Sequence, residues 1–93
     1  MNLKILAFED GYDIEAILTS GGVDLSNHEF KQLWDTSNAL DEIKRFNPDI
    51  LLMDYYIPPI SGYKVLESLL EQIEQGKLTR PKHIVAMSSA TSK

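Results

Sequence analysis

The sequence predicts an α/β domain with a parallel sheet, and two observations lead to that prediction. Short apolar segments alternate along the chain with segments whose apolar residues recur at helical spacing, in the order βαβαβαβ. Alternation of this kind is typical of a parallel sheet with helices on its faces. In addition, the four residues at 50–53 are all bulky and apolar, with no polar alternation. That pattern indicates a strand that is covered on both faces.

Local signals place the individual elements. Strands are predicted at 3–8, 30–34, 50–54 and 83–87, and helices at 12–20, 38–46 and 62–75. The first helix ends at the glycine pair 21–22, and the third, which has the clearest apolar stripe, ends at Gly76. Pro48 ends the second helix, because a residue that precedes proline disfavours the helical conformation. Right-handed crossovers between the strands then leave few topologies open.

Composition and charge restrict the class of protein. With 93 residues the chain forms at most one small domain, and it shows no linker or second domain. The 14 acidic residues outnumber the 9 basic ones, which gives a net charge of −5 and disfavours nonspecific binding to nucleic acid. Cysteine is absent, so thiol catalysis and cysteine-based zinc sites are excluded. No apolar segment approaches the roughly 18 residues of a membrane span, and we expect a cytoplasmic protein without membrane contact.

Acidic and hydroxyl side chains follow three of the predicted strands. Glu9 and Asp10 end the first strand, Asp54 ends the third, and Ser88 follows the fourth. If the first and third strands are neighbours, the three carboxylates lie at one edge of the sheet, where open α/β sheets bind ligands. Clustered carboxylates need a cation or protons to offset their repulsion, and Mg²⁺ prefers such oxygen ligands. A carboxylate, a divalent cation and a hydroxyl together suit phosphoryl transfer to an aspartate.

Each of these features, taken alone, also has a purely structural explanation. An acidic pair after a strand is often a turn or a helix cap, and a lone aspartate there is often a turn former. Paired serines often open a loop. A functional interpretation is favoured by their joint position at the carboxyl ends of consecutive predicted strands.

Four motifs, in chain order, resemble the receiver domain of two-component response regulators. KILAFED resembles the family's first strand with its acidic pair, and ILLMD resembles the phosphoacceptor strand. The stretch from Asp54 to Gly62 fits the loop pattern D-x-x-[M]-P-x-x-x-G, with Ile57 in the usual place of methionine. HIVAMSSA resembles the strand that ends in a serine or threonine and a small residue. The resemblance covers essentially the whole chain.

The resemblance implies a role for each candidate site residue. Asp54 would be the phosphorylated aspartate, Ser88 would hydrogen-bond the phosphoryl group, and Ser89 would stand where the family has a small side chain that admits the phosphodonor. The implied Mg²⁺ ligands are Asp10, Glu9 (directly or through water), Asp54 and the backbone carbonyl of Tyr56. The phosphodonor would be a histidine kinase, a phosphotransfer protein or a small acyl phosphate, and the signal would pass on through protein–protein contacts.

The resemblance also implies a flavodoxin-like three-layer sandwich with strand order 2-1-3-4, which the family extends by a further helix, strand and helix. Only Thr91, Ser92 and Lys93 follow the last motif, so we expect a single truncated receiver-like domain at 1–93. The family's fifth-strand lysine and aromatic residue have no counterpart, and Lys93 matches that lysine poorly in position.

Without those elements the fourth strand would form an exposed sheet edge. Its apolar residues are Ile84, Val85, Ala86 and Met87. An exposed apolar edge invites pairing with another chain. We therefore expect a marginally stable monomer, and association through this edge with a second copy or another protein. The alternative is that the 93 residues are a truncated or proteolysed piece of a longer receiver.

Three functions are compatible with these observations. The leading one is a phosphoacceptor signalling module, which is not an enzyme. The alternative is a degenerate receiver-like adapter or dimerisation module that is never phosphorylated, as the missing lysine suggests. A small Mg²⁺-dependent phosphohydrolase is disfavoured, because it needs a further acid or base near its nucleophile and Tyr56 occupies a suitable place for one.

Overall fold

A computed structural model of the protein describes residues 2–87 and confirms the α/β fold class. The strands are β1 (Lys4–Phe8), β2 (Glu29–Leu33), β3 (Ile50–Asp54) and β4 (His83–Met87), and the helices are α1 (Ile14–Ser20), α2 (Ala39–Phe46) and α3 (Gly62–Glu74). Each of these elements lies where the sequence predicts one, and most boundaries agree to within one residue.

Helix α1 and strand β2 depart from the bounds that the sequence predicts. Helix α1 begins at Ile14 rather than at residue 12, because Asp13 is extended and its side chain caps the helix by accepting the N–H of Ala16. Strand β2 is shifted by one residue and ends at Leu33, so that Trp34 lies beyond it with 52% of its surface exposed.

The four strands form one parallel sheet in the order β2-β1-β3-β4, which confirms the predicted order 2-1-3-4. In the register of the sheet, Phe8 of β1 lies opposite Leu33 of β2 and Met53 of β3, and Asp54 lies opposite Met87 of β4. Because all pairs are parallel, the carboxyl ends of the strands meet at a single edge. The residues that follow β1 and β3 are thereby brought together.

The hydrophobic core lies mainly between one face of the central strands and helices α2 and α3. Its buried members are Leu6, Phe8, Ala39, Ile43, Leu51, Met53, Ile57, Val65 and Leu69. Residues of the two central strands in this cluster are two apart in sequence, as the alternation of side chains along a strand requires. By the same alternation the buried Ile5 and Ala7 face the opposite side of the sheet. The sheet is thus covered on both faces at its centre.

Strand β4 is the least buried strand of the sheet. Within residues 2–87 it pairs with β3 alone, and Val85 has 45% of its surface exposed. The expected exposed edge is therefore present in the described part of the chain, whereas association through it stays a prediction. In the same part of the chain, every helix is too short or too polar to traverse a lipid bilayer.

Candidate functional site

Three carboxylates converge at the carboxyl edge of the sheet, as the sequence predicts. Glu9 and Asp10 directly follow β1, and Asp54 is the last residue of the adjacent β3. One carboxylate oxygen from each of the three residues lies within 4.8 Å of the other two. Glu9 and Asp54 are each only 2% exposed, whereas Asp10 is open to solvent. The site is thus two buried carboxylates with a third at its mouth.

Each buried carboxylate also stabilises the loop that follows its own strand. Oε2 of Glu9 accepts the N–H of Gly11 at 2.8 Å, and Oδ1 of Asp54 accepts the N–H of Tyr56 at 3.1 Å. These are local turn contacts, in which a side chain binds the backbone two residues further on. The turn-forming role of Glu9 and Asp54 is therefore compatible with a role in a shared site. The turns orient both carboxylates at the edge of the sheet.

The loop after Asp54 is held close to the strand from which it departs. The N–H of Tyr55 donates to the carbonyl of Met87 at 2.9 Å, which continues the pairing of β3 with β4 by one residue. The N–H of Gly62 donates to the carbonyl of Tyr55 at 2.9 Å and closes the loop at the start of α3. Ile57 is fully buried and anchors the middle of the loop in the core.

Glycine is required at position 62 by this close approach. A Cβ atom there would lie 1.9 Å from the backbone carbonyl oxygen of Asp54. No side chain larger than hydrogen fits between the beginning of α3 and the end of β3. The glycine of the sequence motif is thus explained by packing against the residue that carries the central carboxylate.

The donor set fits a small, hard dication such as Mg²⁺. The three oxygens are carboxylate oxygens, the kind that Mg²⁺ prefers, and their mutual distances allow them to share one ion after small side-chain movements. Glu9 and Asp54 are each only 2% exposed, and a bound cation would offset the repulsion between carboxylates held this close together. The backbone carbonyl of Tyr56 as a further ligand stays a prediction.

The remaining predicted site residues, Ser88 and Ser89, lie outside the described residues, and their roles stay predictions. The last described residue, Met87 at the end of β4, lies opposite Asp54 in the sheet register.

Two residues near the site were missed by sequence reasoning. Gln32 of β2 and Thr36 of the loop after it make side-chain hydrogen bonds to the loops that follow β1 and β3. A glutamine within a strand and a threonine in a turn are common, and neither belongs to a motif. No local signal could have identified them, because their partners are 18 or more residues away in sequence.

The chain is similar in sequence to one part of longer known proteins. No protein-family model matches the chain. It is 30% identical to the protein-glutamate methylesterase/protein-glutamine glutaminase of Escherichia coli strain K12, over 98% of this chain and 24% of that protein. The corresponding protein of Shigella boydii serotype 4 is also 30% identical, over 98% of this chain and 27% of that protein. The chain thus spans about a quarter of the length of these curated relatives.

Solved structures of receiver domains share the fold. The signal receiver domain of a Luxo repressor protein from Vibrio parahaemolyticus superposes with a TM-score of 0.62 at 23% identity, over 92% of this chain and 61% of that chain. The N-terminal domain of a response regulator receiver protein from Methanoculleus marisnigri JR1 gives a TM-score of 0.57 at 16% identity, over 97% of this chain and 88% of that chain. With its strand order and its acidic edge, the chain has the fold of a response-regulator receiver domain.

Proposed function

We propose that this domain is a phosphoacceptor module of two-component signalling, in which Asp54 accepts a phosphoryl group with Mg²⁺ bound. The observation that supports this most directly is the convergence of Glu9, Asp10 and Asp54, with oxygens within 4.8 Å of one another, at the carboxyl edge of a receiver fold. The donor would be a histidine kinase or a phosphotransfer protein. The domain would act in the cytoplasm as a signalling module rather than as an enzyme.

The proposed transfer is a displacement at phosphorus. A carboxylate oxygen of Asp54 attacks the phosphorus of a phosphohistidine or of an acyl phosphate, and a new O–P bond forms. The P–N or P–O bond to the donor breaks, and its electron pair leaves with the imidazole nitrogen or the acyl oxygen. When bound, Mg²⁺ supplies positive charge against the carboxylates and the phosphoryl oxygens.

The residues of this chain have separate parts in that step. The N–H of Tyr56 orients the Asp54 carboxylate through its 3.1 Å hydrogen bond to Oδ1. Glu9 and Asp10 would hold the ion, Asp10 from the solvent side and Glu9 from its buried position. Ser88 would hydrogen-bond the transferred group, and Ser89 would leave room for the donor.

The test is phosphorylation by acetyl phosphate in the presence of Mg²⁺, followed by intact-mass spectrometry. We expect a mass gain of one phosphoryl group in the wild type and none in Asp54→Asn. Asp41→Asn, which changes an exposed carboxylate of α2 in the same way, is the matched control and should be labelled like the wild type. If the wild type gains no mass and has no affinity for Mg²⁺, the adapter that is never phosphorylated is the better description. Turnover of a phosphate ester would instead indicate a hydrolase.

The exposed strand β4 supports a second part of the proposal, namely association through that edge. Among the described residues, β4 has β3 as its single strand neighbour. Its apolar residues are Ile84, Val85, Ala86 and Met87, and Val85 is 45% exposed. Unpaired backbone groups along an apolar edge favour pairing with another chain. We infer that a second copy or another protein covers this edge.

A further inference from the structure

Two side chains near the end of β2 hold the loop that carries Glu9 and Asp10 and the loop that directly follows Asp54. They are Gln32 and Thr36, named here the β2 clamp. Neither belongs to the three-carboxylate cluster. One contacts the loop between β1 and α1, and the other contacts the loop between β3 and α3. The clamp thus connects two parts of the site that are distant in sequence.

Gln32 bridges the loop that bears Glu9 and Asp10. Its Nε2 donates to the carbonyl oxygen of Glu9 at 2.9 Å and to that of Tyr12 at 2.8 Å. Its Oε1 accepts the N–H of Ile14, the first residue of α1, at 2.9 Å. One side-chain amide therefore binds both ends of the segment 9–14, with Asp10 between them. A short loop has few regular partners for its backbone groups, and this amide supplies three.

Thr36 fixes the loop that follows Asp54. It is fully buried, and its Oγ1 both donates to the carbonyl oxygen of Ile60 at 2.6 Å and accepts the N–H of Ile60 at 2.8 Å. Its own N–H donates to the carbonyl oxygen of Pro58 at 3.0 Å. Tyr56 lies between Asp54 and these attachment points. The path of the loop is therefore determined at both ends, by the strand and by Thr36.

We propose that Gln32 and Thr36 are positioning residues that hold the two loops at the separation which Mg²⁺ binding requires. This inference rests on the proposed function, because the ion is the one that the phosphoacceptor site would use. The physical reason is that ligands on separate segments bind an ion well only when the segments are already in place. Glu9 and Asp10 follow β1, whereas Asp54 ends β3 and leads into the loop that carries Tyr56. Residues that orient metal ligands typically contribute about 10- to 100-fold to metal affinity.

The test compares substitutions that keep the shape of the side chain but remove its hydrogen bonds. Thr36→Val and Gln32→Met do so at the clamp, and Thr36→Ser keeps the hydroxyl. Thr19→Val is the matched control, because the hydroxyl of Thr19 donates to the carbonyl of Glu15 within α1, away from both loops. In each intact chain, calorimetry measures the dissociation constant for Mg²⁺. NMR measures amide hydrogen exchange at Ile14 and Ile60 without metal.

We expect Thr36→Val and Gln32→Met each to weaken Mg²⁺ binding by about tenfold. Exchange should become faster at Ile60 in the first variant and at Ile14 in the second. Thr36→Ser should restore most of the affinity, and Thr19→Val should match the wild type in both measurements. Folded Thr36→Val and Gln32→Met proteins that bind Mg²⁺ as tightly as the wild type would overturn the proposal.

Other outcomes are also decisive. If Thr36→Val does not fold, Gln32→Met and Thr36→Ser still give the comparison, and unchanged affinity in Gln32→Met counts against the clamp. If the wild type binds no Mg²⁺, the proposed function fails. The exchange data then decide whether the clamp holds the loops: faster exchange in the two shape-preserving variants supports it, and unchanged exchange overturns it.

Discussion

Replacing Gly62 with alanine tests the contact that brings α3 against the end of β3. The new Cβ would lie 1.9 Å from the carbonyl oxygen of Asp54, 2.8 Å from its carbonyl carbon and 2.9 Å from Cγ of Met53. Two of these three atoms belong to the backbone, so that no change of rotamer can relieve the overlap. The start of α3 or the end of β3 must move, and with it the residue that carries the central carboxylate.

The expected cost can be estimated from two opposing effects. Overpacking typically destabilises by about 1–3 kcal/mol, and a clash with backbone belongs at the upper end, about 3 kcal/mol. Alanine is favoured over glycine in a helix by up to about 1 kcal/mol, part of which reflects the less flexible unfolded chain. The net loss in the free energy of unfolding is then about 2 kcal/mol. For a domain of this size that corresponds to a decrease in Tm of roughly 8–16 °C.

Urea denaturation followed by far-ultraviolet circular dichroism measures this loss. Gly21→Ala is the matched control, because a Cβ at that helix end would meet only the carbonyl oxygens of Ile17 at 3.4 Å and Leu18 at 3.6 Å. The φ angle of Gly21 is −83°, which alanine adopts without strain. Its stability should remain within about 0.5 kcal/mol of the wild type. Equal stabilities for Gly62→Ala and Gly21→Ala would refute the reasoning about the close approach.

Two further predictions concern association and titration. If β4 is an association surface, light scattering at micromolar concentration should show more than one chain per particle. Val85→Lys should shift the population towards monomers, because a charged edge resists pairing. A stable, cooperatively folding wild-type monomer would contradict this prediction. Two hydrogen bonds from Ser26 hold the pKa of Asp24 below its ordinary value. The side-chain hydroxyl has the larger effect, and the backbone N–H has the smaller one. Since the folded-state pKa is the lower one, the stabilisation is present above the unfolded-state pKa and is lost as the pH falls through the folded-state pKa. Ser26→Ala should therefore raise the Asp24 pKa in a carbon-detected NMR titration, and an unchanged value would argue against the hydroxyl contact.

The positions of the carboxylates were predictable because they depend on two simple features. The apolar pattern of residues 50–53 identifies a buried strand, and chain direction then places Asp54 at its carboxyl end. Glu9 and Asp10 follow β1 for the same reason. Once the strands are parallel and adjacent, all three residues must share an edge. The strand order itself followed from the family resemblance rather than from periodicity.

The start of α1 was less predictable, because capping competes with helical periodicity. The sequence predicts that the helix begins at Tyr12, yet the Asp13 side chain accepts the N–H of Ala16 and the helix begins two residues later than predicted, at Ile14. The shift of β2 by one residue has a similar origin. The backbone N–H of Glu9 donates to the carbonyl oxygen of Leu33 at 3.1 Å, which fixes the end of the strand through a partner that is far away in sequence.

The sequence by itself determined the alternation of elements, the parallel sheet and the identity of the acidic residues at its edge. These depend on periodicity and chain direction, which are local properties. Only the tertiary structure decided how the two site loops are held, through Gln32 and Thr36, and why position 62 must be glycine. Those features are contacts between segments that become neighbours only on folding. The Thr36 hydroxyl and the missing Cβ of Gly62 matter because of partners in other segments of the chain.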